Sequence, residues 1–183
     1  MELPDAITAT HSYAQALEGA EAVAIVTPSS VLREVLRAVS AHVGATTPVV
    51  LCSKGVEGGS GLLPAEIATE ELGALERLAV LSGPNHAEEV IKGTPSATVI
   101  ASAEKPTALL FRDLFATRSF RTYTSTDMTG VELCAAFKNV IAIAVGMAYG
   151  VGFGDNIAAV VFILMSIVDA CISYRYREHI AGD

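Results

Sequence analysis

The stretch "AVAIVTPSSVLREVLRAVSAHVGATTPVVLCSKG", Ala22 to Gly55, decides the fold. It opens on a short apolar run rich in valine and isoleucine that stops at Thr27-Pro28, the pattern of a buried strand. The apolar spacing then changes. Val31, Leu32, Val35, Leu36, Val39 and Val43 recur at three and four residues and share one helical face, with Ser30 in the N-cap position. "PVVLCS" returns to the strand pattern. A strand, a helix and a second strand, both strands apolar without alternation, predict a parallel pair joined by a crossover helix.

The same rhythm extends in both directions. Upstream, Ser12 begins "SYAQALEGA" with Gln15 three residues on, a capping-box pattern that opens a short helix closed by Gly19. Downstream, "LLPAEIATEELG" reads as a helix with Pro64 near its start and Gly73 past its end. "RLAVLSGP" is a strand running into a tight turn. "HAEEVIKG" is a short helix, "SATVIAS" a strand, "KPTALLFRDLFAT" a helix and "SFRTYTS" a strand. This predicts an α/β fold with a parallel sheet covered by helices on both faces. After Asp127 the rhythm stops. A long apolar helix, a glycine-rich break at "GVGFGDN" and another helix follow. The shift in composition puts a domain boundary near Ser125, with 1–125 as the α/β part and 126–183 as the start of a helical domain.

The chain has 183 residues, 51% of them hydrophobic, so a sizeable core is affordable in length and composition. Its net charge of −8 argues against a general nucleic-acid binder, which needs a basic face. Cys52, Cys134 and Cys171 are far apart and lie in apolar runs, which reads as buried free thiols. His11, His42, His86 and His179 have no ligand spacing, and no metal site is expected. The start, "MELPDAITATHS", has neither the basic nor the apolar region of a signal peptide, and the compartment expected is the cytoplasm. In "NIAAVVFILMSIVDACISY" Asp169 interrupts an apolar stretch shorter than the ~18–20 residues of a membrane span, so a core helix is expected.

Three places could carry chemistry. Lys54-Gly55 follows the strand "VVLCS"; in open α/β sheets ligands bind beyond the carboxyl ends of strands, and a lysine there can meet an anion or a polarised oxygen. The alternative is an ordinary loop lysine. In "VLSGPNHAEE" a strand ends at Ser82 and turns through Gly83-Pro84 into a helix starting near Asn85 and His86. Glycine lets backbone approach a ligand, and a helix start offers unpaired amides; the alternative is a plain turn with Asn85 as N-cap. Third, Lys138-Asn139 interrupts "ELCAAFKNVIAIAVGM". The helical neighbours of Lys138, namely Cys134, Ala135, Ile141 and Ala142, offer no counter-charge. A lysine buried in such a helix has a lowered pKa and can exchange a proton with a substrate oxygen. The alternative is a stem that runs to solvent, for which the small neighbours give little cover; a functional cleft is the preferred reading. Neither "GVEGGSG" nor "GVGFGDN" has the GxGxxG spacing of a dinucleotide fingerprint.

Taken together, "VTPSSVLREVL", "SKGVE", "LSGPNHAEEV" and "FRTYTSTDMTGVELCAAFKNVIAIAVGMAYGVGFGDN" resemble, in order and spacing, blocks of bacterial NAD(P)-dependent sn-glycerol-3-phosphate dehydrogenase, from about Leu3 to Ala159. The resemblance implies a Rossmann-like fold and reversible hydride transfer between NAD or NADP and dihydroxyacetone phosphate or glycerol 3-phosphate, a step toward phospholipid precursors. It implies Lys138 as proton donor and acceptor and Lys54 as a second active-site lysine near substrate and cofactor. Gly83 and Asn85 match substrate-contacting positions, although the family more often has serine or threonine at the latter. Ala87 matches a position against the cofactor. Asn139 would orient Lys138 or the substrate. A homo-oligomer is compatible with this reading.

The departures are at the ends. The glycine-rich fingerprint that opens the family's sheet has no counterpart here, which implies an incomplete doubly wound sheet followed by the start of an all-α domain. Strand "EAVAIV" would then have an unpaired edge. After about Ala159 the text "VVFILMSIVDACISYRYREHIAGD" departs from the family's pattern, and Arg175 and Arg177 are not assigned to phosphate. A second reading is therefore a non-catalytic remnant of the same enzyme.

Overall fold

The computed structural model describes residues 6–164. Readings that fall on Cys171, Asp169, Arg175, Arg177 and His179 lie outside the described residues.

Helix α1 (Tyr13–Leu17) is capped by Ser12, whose Oγ accepts from the Gln15 amide at 3.3 Å. The return arm of the expected capping box is relayed. Thr10 Oγ1 donates to Gln15 Oε1 and accepts from the Ser12 amide, so a third side chain stands between the two. Strand β1 (Val23–Ile25) leads to a 3-10 turn at Ser29–Val31 and then α2 (Leu32–Ser40). The turn displaces the expected cap. Val31, not Ser30, occupies the N-cap position, and no side chain caps it. Strand β2 (Val49–Leu51), helix α3 (Pro64–Leu72), strand β3 (Leu78–Ser82) and the four-residue helix α4 (Ala87–Val90) follow. Strand β4 (Ser96–Ala101), helix α5 (Lys105–Phe115) and strand β5 (Phe120–Ser125) complete the sheet. Helix α6 (Met128–Gly150) and α7 (Asp155–Leu164) come last, separated at the glycine-rich break.

The five strands lie in the order β1-β2-β3-β4-β5. The pairs β1–β2, β2–β3 and β4–β5 are parallel, but β4 runs antiparallel to β3, with Leu81 opposite Ile100. The sheet is thus parallel as expected except at the β3–β4 pair. Burial on both faces produces the same apolar runs whichever way a strand points, so sequence pattern carried no direction for β4.

Alternate residues of the strands feed two cores. On one face Val23, Ile25, Val49, Leu51, Leu78 and Val80 pack with α2, α3 and Met128. On the other Val50, Ala79, Leu81 and Ile100 pack with Phe111 of α5. Strand β1 is an edge, paired among the described residues with β2 alone, and its Ala24 is exposed. The unpaired edge expected for "EAVAIV" is therefore present in the described chain.

Helix α6 divides into two parts. Its first turns pack on β3, β4 and α3 and bury Met128, Gly130, Glu132, Leu133 and Ala135. Beyond them Val140, Ile143, Met147 and Tyr149 are exposed, and Met147 keeps 67% of its surface. By length and composition α6 could cross a membrane; its N-terminal turns instead belong to the sheet's core. Ile141 and Ala148 stay buried further along, so the helix keeps one packed face while Lys138, Asn139 and Val140 are exposed.

Candidate active site

Two clefts, each of about 590 Å³, lie on either side of the turn that follows β3. One is walled by Ser82, Gly83, Pro84, Asp127, Cys134 and Lys138. The other is walled by Val26, Cys52, Lys54, Asn85, Ala87 and Phe115, among others. Both use residues at or just beyond the carboxyl ends of the parallel strands, where an open α/β sheet leaves room for a ligand.

Lys54 joins the two. It stands three residues past β2, half-buried, and its Nζ donates to the Gly83 carbonyl at 3.0 Å. Its pKa is pushed below the ordinary lysine value, chiefly by burial and further by the positive charge of Lys138. Lys54 therefore senses the charge of Lys138 across the turn. Gly55, with φ of +121°, makes the bend after Lys54; a Cβ there would also press on Ser29 Oγ at 3.2 Å. The neighbouring Cys52 thiol is half-buried, and burial pushes its pKa up.

Gly83 is tight for a different reason. A Cβ there would lie 2.7 Å from the Ala97 carbonyl and 2.9 Å from Thr98. Only glycine lets this turn lie flat against β4 and present its carbonyl to Lys54. Asn85 does not cap α4; His86 holds that position without a side-chain bond. The Asn85 amide instead donates from Nδ2 to Thr98 Oγ1 at 3.1 Å, and Thr98 donates on to the Ser82 carbonyl at 2.9 Å. Because Thr98 spends its proton on Ser82, Asn85 must present its amide nitrogen, which leaves Oδ1 buried and without a partner among the described residues. Thr27 Oγ1, next to Val26 of the same cleft, is in the same condition.

Lys138 is exposed rather than buried, and it lines the first cleft from α6. Cys134, one turn earlier, lines it too and is exposed, which corrects the expectation of a buried thiol. Asn139 is exposed and lines neither cleft; on a helix it projects about 100° away from Lys138. So the structure brings Lys54, Gly83 and Lys138 around one turn, sets Asn85 and Ala87 beside Lys54, and leaves Asn139 apart.

Two groups escaped the sequence reading. Asp127 caps α6, accepting from the Gly130 amide at 2.9 Å, and it also walls the Lys138 cleft; an acidic residue just before an apolar helix was a readable cap signal. Glu132, 5% exposed, accepts from the Ala65 amide at 2.9 Å and so ties α6 to the first turn of α3. Burial, with repulsion from Glu66, pushes its pKa up to about 8 against the bond from Ala65.

A strand-end cleft beside a second one entered by a helical lysine places the chain among ligand-binding α/β proteins with an open sheet. Comparison with known proteins makes this specific. Residues 1–108 match the family model for the NAD-dependent glycerol-3-phosphate dehydrogenase N-terminus, and residues 127–167 match the corresponding C-terminus. The chain belongs to the NAD-dependent glycerol-3-phosphate dehydrogenase family. It is 45% identical over 161 residues to glycerol-3-phosphate dehydrogenase [NAD(P)+] of Syntrophomonas wolfei, covering 87% of this chain and 47% of that one. It is 40% identical over 185 residues to the enzyme of the same name from Afipia carboxidovorans, covering 98% of this chain and 56% of the relative. The solved glycerol-3-phosphate dehydrogenase of Coxiella burnetii superposes with a TM-score of 0.86 at 31% identity, covering 94% of this chain and 53% of that one. The chain spans about half the length of the curated relatives it matches.

Proposed function

We propose that this chain takes part in NAD(P)-dependent interconversion of dihydroxyacetone phosphate and sn-glycerol 3-phosphate, in the cytoplasm, toward phospholipid precursors. The observation that carries the reading is the pairing of Lys54 and Lys138 across the Gly83 turn, with one cleft on each side. Residues 1–125 then form the dinucleotide-binding part and 126–183 the start of the helical substrate domain.

The residues present suit a nicotinamide cofactor in the Lys54 cleft. Its walls are mostly apolar, Ala87 offers little bulk, and the buried acceptors Asn85 Oδ1 and Thr27 Oγ1 await donors. When bound there, the nicotinamide supplies the hydride that reduces the carbonyl carbon. Lys138, from the other cleft, gives a proton to the oxygen as the carbonyl becomes an alcohol and takes it back in the oxidising direction. Lys54 holds its ammonium at the divide, where it opposes negative charge building on that oxygen. Gly83 keeps the turn close enough for this, and Asn85 fixes the turn to β4. Asn139, which lines neither cleft and projects away from Lys138, takes no part in this arrangement.

The test is oxidation of NADH and of NADPH by the purified chain with dihydroxyacetone phosphate. Turnover that falls by about 10²–10⁴-fold in Lys138→Ala is expected. A folded chain that turns over neither nucleotide, or a Lys138→Ala variant as fast as the parent, would overturn the reading.

A further inference from the structure

The loop that carries Lys54 runs from the end of β2 to the start of α3, and it is held from outside the two clefts. Glu57, three residues after Lys54, takes a two-pronged bond from Arg33 of α2: Nε donates to Oε1 at 2.9 Å and Nη2 to Oε2 at 2.8 Å. The remaining nitrogen, Nη1, donates to Glu70 and Glu71 of α3, both at 2.6 Å. Arg37, one turn along α2, donates to the second oxygen of Glu71 at 3.0 Å. Ser60 Oγ donates to Glu57 Oε2 at 2.5 Å. The loop also closes on itself, with the Glu57 amide bonded to the Leu62 carbonyl and the Gly61 amide to the Glu57 carbonyl.

Lys54 therefore sits between two anchors. On one side Ser53 Oγ donates to the Thr27 carbonyl at 2.5 Å, and Gly55 lies against Ser29 in the turn before α2. On the other side is the Arg33 fork. Both anchors refer the loop to the start of α2. An arginine suits this task better than a lysine, because its planar fork fixes direction as well as distance. The Arg33 and Glu57 side chains are each only 20% exposed and Glu71 12%, so this is an ordered cluster and not a loose surface pair. Arg33 holds the Glu57 carboxyl down to about 2, with Ser60 contributing, so the fork is charged across the whole working pH range.

We infer that the Arg33–Glu57 fork is the positioning device for Lys54: it holds the loop so that the Lys54 ammonium reaches the Gly83 carbonyl between the two clefts. Arg33 and Glu57 touch neither cleft, so they act through the loop. The consequence for turnover rests on the role of Lys54 proposed above; the placement of Lys54 does not.

The experiment reads Lys54 directly. The full chain is pulsed with acetic anhydride at a series of pH values, and acetylation at each lysine is followed by mass spectrometry. Lys92 and Lys105 on the same molecule serve as references. In the parent, Lys54 titrates below the ordinary lysine value. In Glu57→Gln and in Arg33→Met it shifts up toward that value, because the released loop exposes Lys54 and takes it away from Lys138. Glu70→Gln trims an outer contact of Arg33 and leaves the fork, so Lys54 keeps its parent titration. Circular dichroism confirms folding, and if Arg33→Met does not fold, Glu57→Gln decides alone. Unchanged Lys54 titration in folded Glu57→Gln overturns the inference. So does an equal shift in Glu70→Gln, which would mark general loosening. Where the parent turns over substrate, Glu57→Gln lowers kcat at an unchanged melting temperature. Where it does not, the proposed function fails while the labelling result still stands.

Discussion

Glu132→Gln isolates one buried carboxyl. Glu132 sits under the junction of α6 and α3, 5% exposed, with Ala65 N–H as its donor and Glu66, Glu70 and Asp127 around the same cleft. Its pKa is pushed up from 4.5 to about 8, mainly by burial. Between those values the folded chain binds a proton that the unfolded chain has released. The sign follows: this group costs nothing below pH 4.5, costs progressively more as pH rises, and reaches its full penalty above pH 8. Carrying these two values through the linkage relation, stability falls by about 3 kcal/mol between pH 6 and pH 9 from this residue alone. Glutamine keeps the acceptor for Ala65 and cannot ionise. Urea unfolding of parent and variant at pH 6, 7, 8 and 9 therefore gives two curves that converge at low pH and separate at high pH, with the variant the more stable. Parallel curves across that range would refute the reasoning, because the difference between the two proteins cancels every other titrating group.

Gly83→Ala places a Cβ within 3 Å of β4 and forces the turn away; a loss of about 1–3 kcal/mol in thermal or urea unfolding is expected, together with loss of the depressed Lys54 titration. Arg77→Met removes a buried guanidinium that donates to the carbonyls of Gly44, Thr47 and Leu72; each acceptor left buried and unpaired costs about 1–3 kcal/mol, read as a lowered urea midpoint, and a midpoint within error of the parent would contradict this.

Strand positions were legible because each is a short apolar run stopped by a turn residue: "AVAIV" before Thr27-Pro28, "VVLCS" before Lys54-Gly55. Direction was not, and β4 turned out antiparallel to β3. Lys54 and Gly83 could be placed at strand ends from sequence, yet only the sheet order puts their strands side by side and allows the bond between them. A cleft around Lys138 could be inferred from its cost in an apolar helix, and it does line one; its exposure was not legible, because the helix keeps Ile141 and Ala148 buried while Val140, Ile143 and Met147 face outward. Local signals misled at Ser30, where a 3-10 turn took the cap, and at Asn85, whose amide bonds a strand thirteen residues on. Arg33 had no signal at all, since its partners lie 24 to 38 residues away.

The outward face of α6 and α7 has a calorimetric consequence. Ile143, Met147, Phe153, Val160 and Phe162 are all more than two-fifths exposed. Whatever comes to cover them removes hydrated hydrocarbon from water, and that removal carries a negative change in heat capacity. Pairing along the free edge of β1 would join backbone amides and carbonyls, groups whose dehydration carries the opposite sign. An association measured at several temperatures would therefore reveal which of the two surfaces it uses: a binding enthalpy that grows steeply more favourable on warming belongs to the helices, and one nearly flat with temperature belongs to the strand.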